Sequence, residues 1–191
     1  MKTLERGFKA WAERTALAVR RELAITPDDL LCPFKLAEYL DIDVVSPEEI
    51  PGMTTDILTP LLVKDPSGWS ATSFKINKRS TVIYNPMHSP GRRSSDIAHE
   101  LAHELLGHEP ATVILSLELE HFCMRSFNQK QEDEANCLAW TLLLPRDGLL
   151  KAKTRKKTTD EIAEQFGVSK TLVNFRVQTT GILRQVNQFR R

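Results

Sequence analysis

The sequence of 191 residues has few cysteines, no excess of charge of one sign and no long apolar run. Its 26 basic and 25 acidic side chains leave a net charge of +1, so no overall attraction to nucleic acid or to an anionic membrane is expected. No apolar stretch approaches the roughly 18 residues that cross a bilayer, and the N-terminus lacks the apolar core of a signal peptide. The composition therefore predicts a cytoplasmic protein without a membrane partner.

The cysteines support the same location. Cys32, Cys123 and Cys137 are isolated, odd in number and not arranged in CxxC pairs. Such cysteines are typical of a reducing compartment, where they remain buried or free thiols.

The N-terminal half mixes helical and strand patterns. Apolar residues recur at helical spacing in the first stretch, and two β-type runs separated by "NKR" predict a hairpin. The predicted elements are a helix at about 5–24, a second helix at 33–40, a short strand at 41–47, a loop at 47–68 and hairpin strands at 69–76 and 80–86.

The C-terminal half is predicted to be mainly helical. After a turn in which Pro90 acts as a breaker, a helix is expected from Ser94 or Ser95 to about Leu106, with Gly107 as its stop. A second helix covers "QKQEDEANCLAWTLLLP", the residues between the two helices (109–128) are poorly patterned, and "KAKTRKK" (151–157) is predicted to be a basic hinge. Together the two halves predict an α+β fold with a small β-sheet.

Three of the five histidines lie within "SSDIAHELAHELLGHEP". His99 and His103 are four residues apart, so on a helix both imidazoles can face one metal ion, and Glu100 is placed to take a proton from a metal-bound water. The alternative is a surface helix with two exposed histidines. His88, in "PMHSP", is interpreted as a turn-stabilising residue rather than a substrate-binding one.

A catalytic zinc site needs a third protein ligand. The HExxHxxGxxH pattern would place a third histidine where Glu109 stands; His108 is one residue off, about 100° around a helix, and is expected to face away and to favour the helix C-terminus. Glu132, about 30 residues beyond the pair, is the better candidate, since the small Ala135 would let its helix lie close. Glu134 is the competing ligand, and a solvated acidic first turn is the alternative without a metal.

The chain resembles the ImmA/IrrE family of zinc metallopeptidases. The resemblance rests on "IYNPMHSPGRRSSDIAHELAHELLGH" and "EDEANCLAWTLLLP" and covers roughly residues 30–147. It implies a zincin-like fold, one Zn²⁺ held by His99, His103 and Glu132, and Glu100 as the general base. Family members are intracellular, and several cleave a helix-turn-helix transcriptional repressor.

These observations favour a zinc-dependent intracellular endopeptidase whose substrate is a protein regulator, such as a helix-turn-helix repressor. The alternative is a DNA-binding regulator with a structural or sensing metal site. Structural zinc sites prefer four protein ligands, and no convincing fourth is found, which favours catalysis.

The tail separates into its own predicted unit. Residues 1–150 are assigned to the metallopeptidase domain, and residues 151–191 to a helix-turn-helix-like tail in which Gly167 makes the turn and Ser169 caps the second helix. That second helix offers only Lys170 and Arg176 as cations, and the apolar positions of the tail outnumber what two short helices can bury. Packing on the peptidase is therefore preferred, and DNA contact is the less favoured alternative.

Overall fold

The computed structural model describes residues 4–76, 79–108 and 128–188. Within these ranges it contains nine α-helices and three β-strands, which confirms the predicted α+β class. The helices are α1 (Phe8–Glu22), α2 (Pro33–Tyr39), α3 (Thr55–Thr59), α4 (Pro90–Leu105), α5 (Gln129–Leu143), α6 (Arg146–Thr154), α7 (Thr159–Phe166), α8 (Lys170–Thr180) and α9 (Ile182–Gln188), and the strands are β1 (Asp43–Val45), β2 (Ala71–Ile76) and β3 (Arg79–Tyr84).

The three strands form one sheet in the order β1-β3-β2. The predicted hairpin is confirmed: β2 and β3 pair antiparallel, with Ser73 opposite Val82 and Phe74 opposite Thr81. Strand β1 pairs parallel with the other side of β3. β3 is therefore central, and β2 has one edge without a strand partner among the described residues.

The core is centred on α5, which packs against both α4 and α1. Small side chains allow this close packing, because Ala98 and Ala102 of α4, Ala135 of α5, and Ala12 and Ala16 of α1 are all fully buried. Ile97 and Leu101 on α4 and Leu138 and Leu142 on α5 fill the remaining space. No helix in the described ranges has both the length and the apolar character needed to cross a bilayer.

Helix α4 begins earlier than predicted. Ser89 is its N-cap and Pro90 its first residue, so Pro90 starts the helix instead of breaking it. The expectation was wrong because proline lacks only an N–H that the first turn would leave unpaired, and its fixed φ suits that position. A Cβ at Gly91 would lie 3.4 Å from the carbonyl oxygen of Gly167, so this end of α4 lies beside the α7–α8 turn.

Two segments predicted as irregular are partly helical. The region 47–68 contains a 3₁₀ turn at Pro47–Glu49, helix α3 and a π-helical turn at Pro60–Lys64. The predicted hinge at 151–157 is helical up to Thr154, as part of α6. Residues 109–127 lie outside the described part of the chain, so the expectation for 109–128 is not evaluated there.

Helices α7 to α9 contact the other elements through buried side chains. Arg176 of α8 is 6% exposed; its Nε donates to the carbonyl of Leu144 at 3.0 Å and its Nη2 to Glu13 of α1 at 2.6 Å. Gln165 of α7 donates to the carbonyl of Asp28 at 2.7 Å. The tail also contributes apolar side chains to the common core, namely Ile162, Phe166, Val173 and Ile182.

Candidate metal centre

Helix α4 brings two imidazoles together on one face. His99 and His103 are one turn apart, and their Nε2 atoms lie 3.1 Å from each other. The opposite face of the same turn is apolar and fully buried through Ile97, Ala98 and Leu101, so packing against the core orients the helix and directs the histidine pair away from it.

Glu132 approaches the pair from the first turn of α5. This turn begins at Asn128, whose side-chain oxygen accepts hydrogen bonds from the backbone N–H groups of Lys130 and Gln131. Glu132 places Oε2 at 3.2 Å from Nε2 of His99 and Oε1 at 3.6 Å from Nε2 of His103. The structure thus brings together the three residues proposed as ligands from the sequence, and their ligand atoms all lie within 4.8 Å of one another.

The spacing of these atoms suits a tetrahedral zinc ion. Ligands at about 2.0–2.1 Å from zinc in tetrahedral geometry are about 3.3–3.4 Å apart. The nearest approaches lie close to that value: 3.1 Å between the two Nε2 atoms, 3.2 Å from Oε2 of Glu132 to His99 and 3.6 Å from its other oxygen, Oε1, to His103. Two imidazole nitrogens and one carboxylate also form a recognised donor set for catalytic zinc, with three protein ligands and room for a fourth from outside the chain.

Glu100 is buried beside the pair. It is 3% exposed, and Ser73 Oγ on strand β2 donates a hydrogen bond of 2.9 Å to its Oε2. A buried carboxylate requires such donors, because its ionised form is otherwise strongly disfavoured. The sequence alone did not identify Ser73, since only the fold brings β2 over this turn of α4.

His108 does not face away from the histidine pair, and that expectation was wrong. The helix ends at Leu105 with Leu106 as its C-cap, and Gly107 adopts the left-handed conformation with φ of 64°. The backbone N–H of His108 then bonds to the carbonyl of His103, and that of Gly107 to the carbonyl of Glu104, both at 3.0 Å. This pair of hydrogen bonds is a Schellman motif, which folds the chain back over the last turn of the helix. The expectation relied on the rotation of about 100° per residue in a helix, which applies only if the helix continues to His108.

The turn brings the side chain of His108 next to His103. His108 Nδ1 lies 2.9 Å from Nδ1 of His103, and its Nε2 lies 3.3 Å from Oε2 of Glu134. Glu134, considered above as a competing ligand, therefore contacts His108, while Glu132 joins the ligand group. The glycine after an HExxH turn was the signal in the sequence that could have predicted this arrangement.

His88 is placed as expected for a turn-stabilising residue. Its Nδ1 lies 2.8 Å from Oδ2 of Asp96 on α4, and its Nε2 lies 3.5 Å from the side-chain amide of Asn85. Asn85 itself donates to the carbonyls of Pro66 and Trp69. The cluster therefore ties the turn before α4 to the helix.

Comparisons with known proteins identify a family and a similar fold. The family model of the IrrE N-terminal-like domain, Peptidase_M78, matches residues 37–178, a range that includes the histidine pair, Glu132, helix α7 and most of helix α8. Among solved structures, a Mycobacterium tuberculosis transcriptional regulator is similar with a TM-score of 0.54 and 19% identity, over 87% of this chain and 46% of that chain. The chain thus spans less than half the length of that regulator, and at this identity the likeness concerns the fold alone. No functionally curated protein matches the chain.

Proposed function

Because the chain belongs to the IrrE N-terminal-like peptidase family and has an α+β fold consistent with a zincin-like peptidase, we propose that it is a zinc-dependent endopeptidase. The observation that carries this proposal is the convergence of His99, His103 and Glu132 at separations suited to tetrahedral zinc. The three residues would hold the ion through two imidazole nitrogens and a carboxylate. When bound, zinc supplies Lewis acidity, which polarises the scissile carbonyl and makes water nucleophilic near neutral pH.

Glu100 carries the proton in this reaction. Its carboxylate accepts the proton of the attacking water and then passes it to the leaving amine. Ser73, which donates to Oε2 at 2.9 Å, holds the carboxylate in orientation. The burial of Glu100 limits bulk water around it, so its position depends on protein contacts.

Strand β2 is the candidate binding edge for the substrate backbone. β3 is flanked by β1 and β2, so it cannot accept another strand, whereas β2 has a free side among the described residues. β2 also contributes Ser73 to the site. A peptide that adds to this edge in extended form would therefore pass beside Glu100, with its main chain hydrogen-bonded to β2.

The substrate is proposed to be a protein regulator, with a helix-turn-helix repressor as the leading candidate, as the resemblance to the ImmA/IrrE family implies. An intracellular location accords with the cysteines, since Cys32 and Cys137 are both free thiols.

Residues 151–191 are proposed to act as part of the peptidase unit. The supporting observation is that α8, the candidate recognition helix, uses Arg176 to bond Leu144 and Glu13, and that Lys170 pairs with Asp160 at 2.9 Å. Both cations of the helix are thus engaged within the protein, which leaves few for phosphate contacts.

Metal binding tests the proposed site directly. Purified full-length chain is expected to bind one zinc ion, and His99→Ala to bind it far more weakly. His88→Ala is the control, because His88 is buried and bonded to a carboxylate but lies outside the ligand group. The proposal is wrong if wild type binds no zinc, or if His99→Ala binds it as tightly as wild type.

Catalysis is tested with Glu100→Gln on a proteome-derived peptide library, with cleavage products identified by mass spectrometry. Loss of a general base typically lowers the rate about 10²- to 10⁴-fold, while zinc affinity and thermal stability should stay near those of wild type. If zinc-loaded wild type and Glu100→Gln give the same products at the same rate, Glu100 is not the base.

A further inference from the structure

The structure places His108 and the carboxylate of Glu134 behind His103, on the side away from the ligand group. His103 presents Nε2 to His99 and Glu132, and its Nδ1 to His108 at 2.9 Å. His108 in turn presents Nε2 to Glu134 at 3.3 Å. Three side chains from two helices and the turn after α4 are thus arranged in series.

We infer that His108, supported by Glu134, is a positioning residue that fixes the tautomer and orientation of His103 for metal binding. This inference rests on the proposed function, since it concerns the same zinc site. His108 and Glu134 do not contact the metal position themselves and act only through His103.

The proton positions of the series are determined by elimination. A neutral imidazole that binds a metal through Nε2 carries its proton on Nδ1. That proton needs an acceptor, and Nδ1 of His108 is at hydrogen-bond distance. His108 must then carry its own proton on Nε2, where the carboxylate of Glu134 can accept it. Every ring remains neutral and every N–H in the series has an acceptor.

Burial makes this arrangement specific. The side chains of His108 and Glu134 are only 8% and 14% exposed, so water cannot freely replace either partner. Glu134 also lies 3.9 Å from Lys130 Nζ, within ion-pair distance. Without His108, the Nδ1 proton of His103 would lose a buried acceptor, and the ring would be free to rotate or to change tautomer.

The turn that ends α4 is what delivers His108 to this position. The left-handed Gly107 and the bond from His108 N–H to the carbonyl of His103 place the fifth residue after His103 directly beside it. In a continuing helix these two residues would be about 140° apart and their rings could not meet.

The test measures zinc affinity of the full chain by competition with a chromogenic chelator. His108→Phe keeps a planar ring but removes both nitrogens, and it is expected to weaken zinc binding about 10- to 100-fold, the usual effect of losing a partner of a ligating histidine. His88→Phe is the matched control, because His88 has a 6% exposed side chain and also bonds a carboxylate. It should lose thermal stability while keeping the zinc affinity of wild type.

A pair of polar variants distinguishes positioning from a general structural role. In His108→Asn the amide oxygen replaces Nδ1 and can still accept from His103, so zinc affinity should stay near that of wild type. In His108→Gln the amide lies at the position of Nε2, so affinity should fall as in His108→Phe. This comparison also decides the case if His108→Phe does not fold.

The outcomes are separable from those of the proposed function. If wild type binds zinc and both His108→Phe and His108→Gln bind it equally tightly, the role of His108 is refuted and the zinc site stands. The role is also refuted if His108→Asn and His108→Gln weaken binding equally. If wild type binds no zinc, the proposed function itself fails.

Discussion

The buried guanidinium of Arg20 offers a stringent test of how the helices are held around the site. Arg20 of α1 is 1% exposed, and its Nη2 donates to the carbonyls of Leu142 and Leu143 at 2.9 and 3.2 Å. These carbonyls belong to the last turn of α5, where no further helical N–H is available to them. Its Nη1 donates to the carbonyls of Thr26 and Asp29 at 3.1 and 2.7 Å.

The loss in free energy of unfolding when Arg20 is replaced follows from these acceptors. In Arg20→Met the stem is replaced by a similar apolar chain, but the two buried carbonyls of α5 lose their donor, at about 1–3 kcal/mol each. The carbonyls of Thr26 and Asp29 are only partly buried and can be hydrated. Because Arg20 Nε is buried without a partner among the described residues, its loss offsets part of this cost. A net destabilisation of about 2–4 kcal/mol is therefore expected.

Thermal unfolding followed by circular dichroism measures the effect. For a chain of this size the predicted loss corresponds to a decrease in Tm of roughly 5–15 °C. Burial lowers the pKa of Arg20 to about 10, so the guanidinium remains charged in a neutral buffer. Arg21→Met is the control, because Arg21 is the next residue and is exposed.

Two results would refute this reasoning. One is a Tm of Arg20→Met within about 2 °C of that of Arg21→Met, which would mean that the buried bonds contribute little. The other is a large loss of zinc affinity below the melting range. Glu132 lies at the opposite end of α5, so the folded variant should bind zinc as wild type does.

Three further outcomes are expected. Hydrogen bonds from the backbone N–H and hydroxyl of Thr158 lower the pKa of Glu161, so the stability it contributes is present above its ordinary value of 4.5 and is lost as pH falls through the folded pKa. The Tm difference between wild type and Glu161→Gln should therefore shrink below pH 4.5; a difference that stays constant down to acid pH would contradict this. Burial raises the pKa of the Cys137 thiol, so iodoacetamide at mildly alkaline pH should label Cys32 well before Cys137, as read by peptide mass spectrometry; equal labelling of the folded chain would show that Cys137 is accessible. Gly107→Ala should lower stability by about 1–2 kcal/mol in urea unfolding, because a Cβ disfavours its left-handed backbone; an unchanged midpoint would show that the turn had relaxed.

The elements that local patterns predicted are those with strong periodicity. Helices α1 and α5 follow apolar residues at helical spacing, and the hairpin follows two β-type runs around a short turn. The relation of His99 to His103 needed only helical geometry. The position of Glu132 needed two helices to pack, and the small Ala135 indicated that they could.

The elements that were mispredicted depend on contacts distant in sequence or on the chemistry of helix ends. Pro90 was interpreted as a breaker because proline interrupts helix interiors, although the same residue is favourable in the first turn. Which of the two applies depends on where the helix starts, and here the N-cap is Ser89, directly before the proline. Short helices such as α3, within a segment rich in proline and glycine, carry too few residues for a periodic pattern.

The hydrogen bonds between the sheet and α4 show which part of the site local sequence patterns could predict and which part they could not. Ser73 lies opposite Val82, and Ser80 is two residues from Val82 on the same strand, so all three side chains share one face of the hairpin. Glu100 and Glu104 are four residues apart and share one face of α4. Each serine donates to one carboxylate at 2.9 Å, Ser73 to Glu100 and Ser80 to Glu104, so the two patterns match in spacing. Either pattern could be derived from local geometry, but the hairpin register and the helix face come together through the packing of α4 on β2 and β3, where Val82 is fully buried. This packing, which the sequence does not predict, brings the hydroxyl of Ser73 to the proposed base.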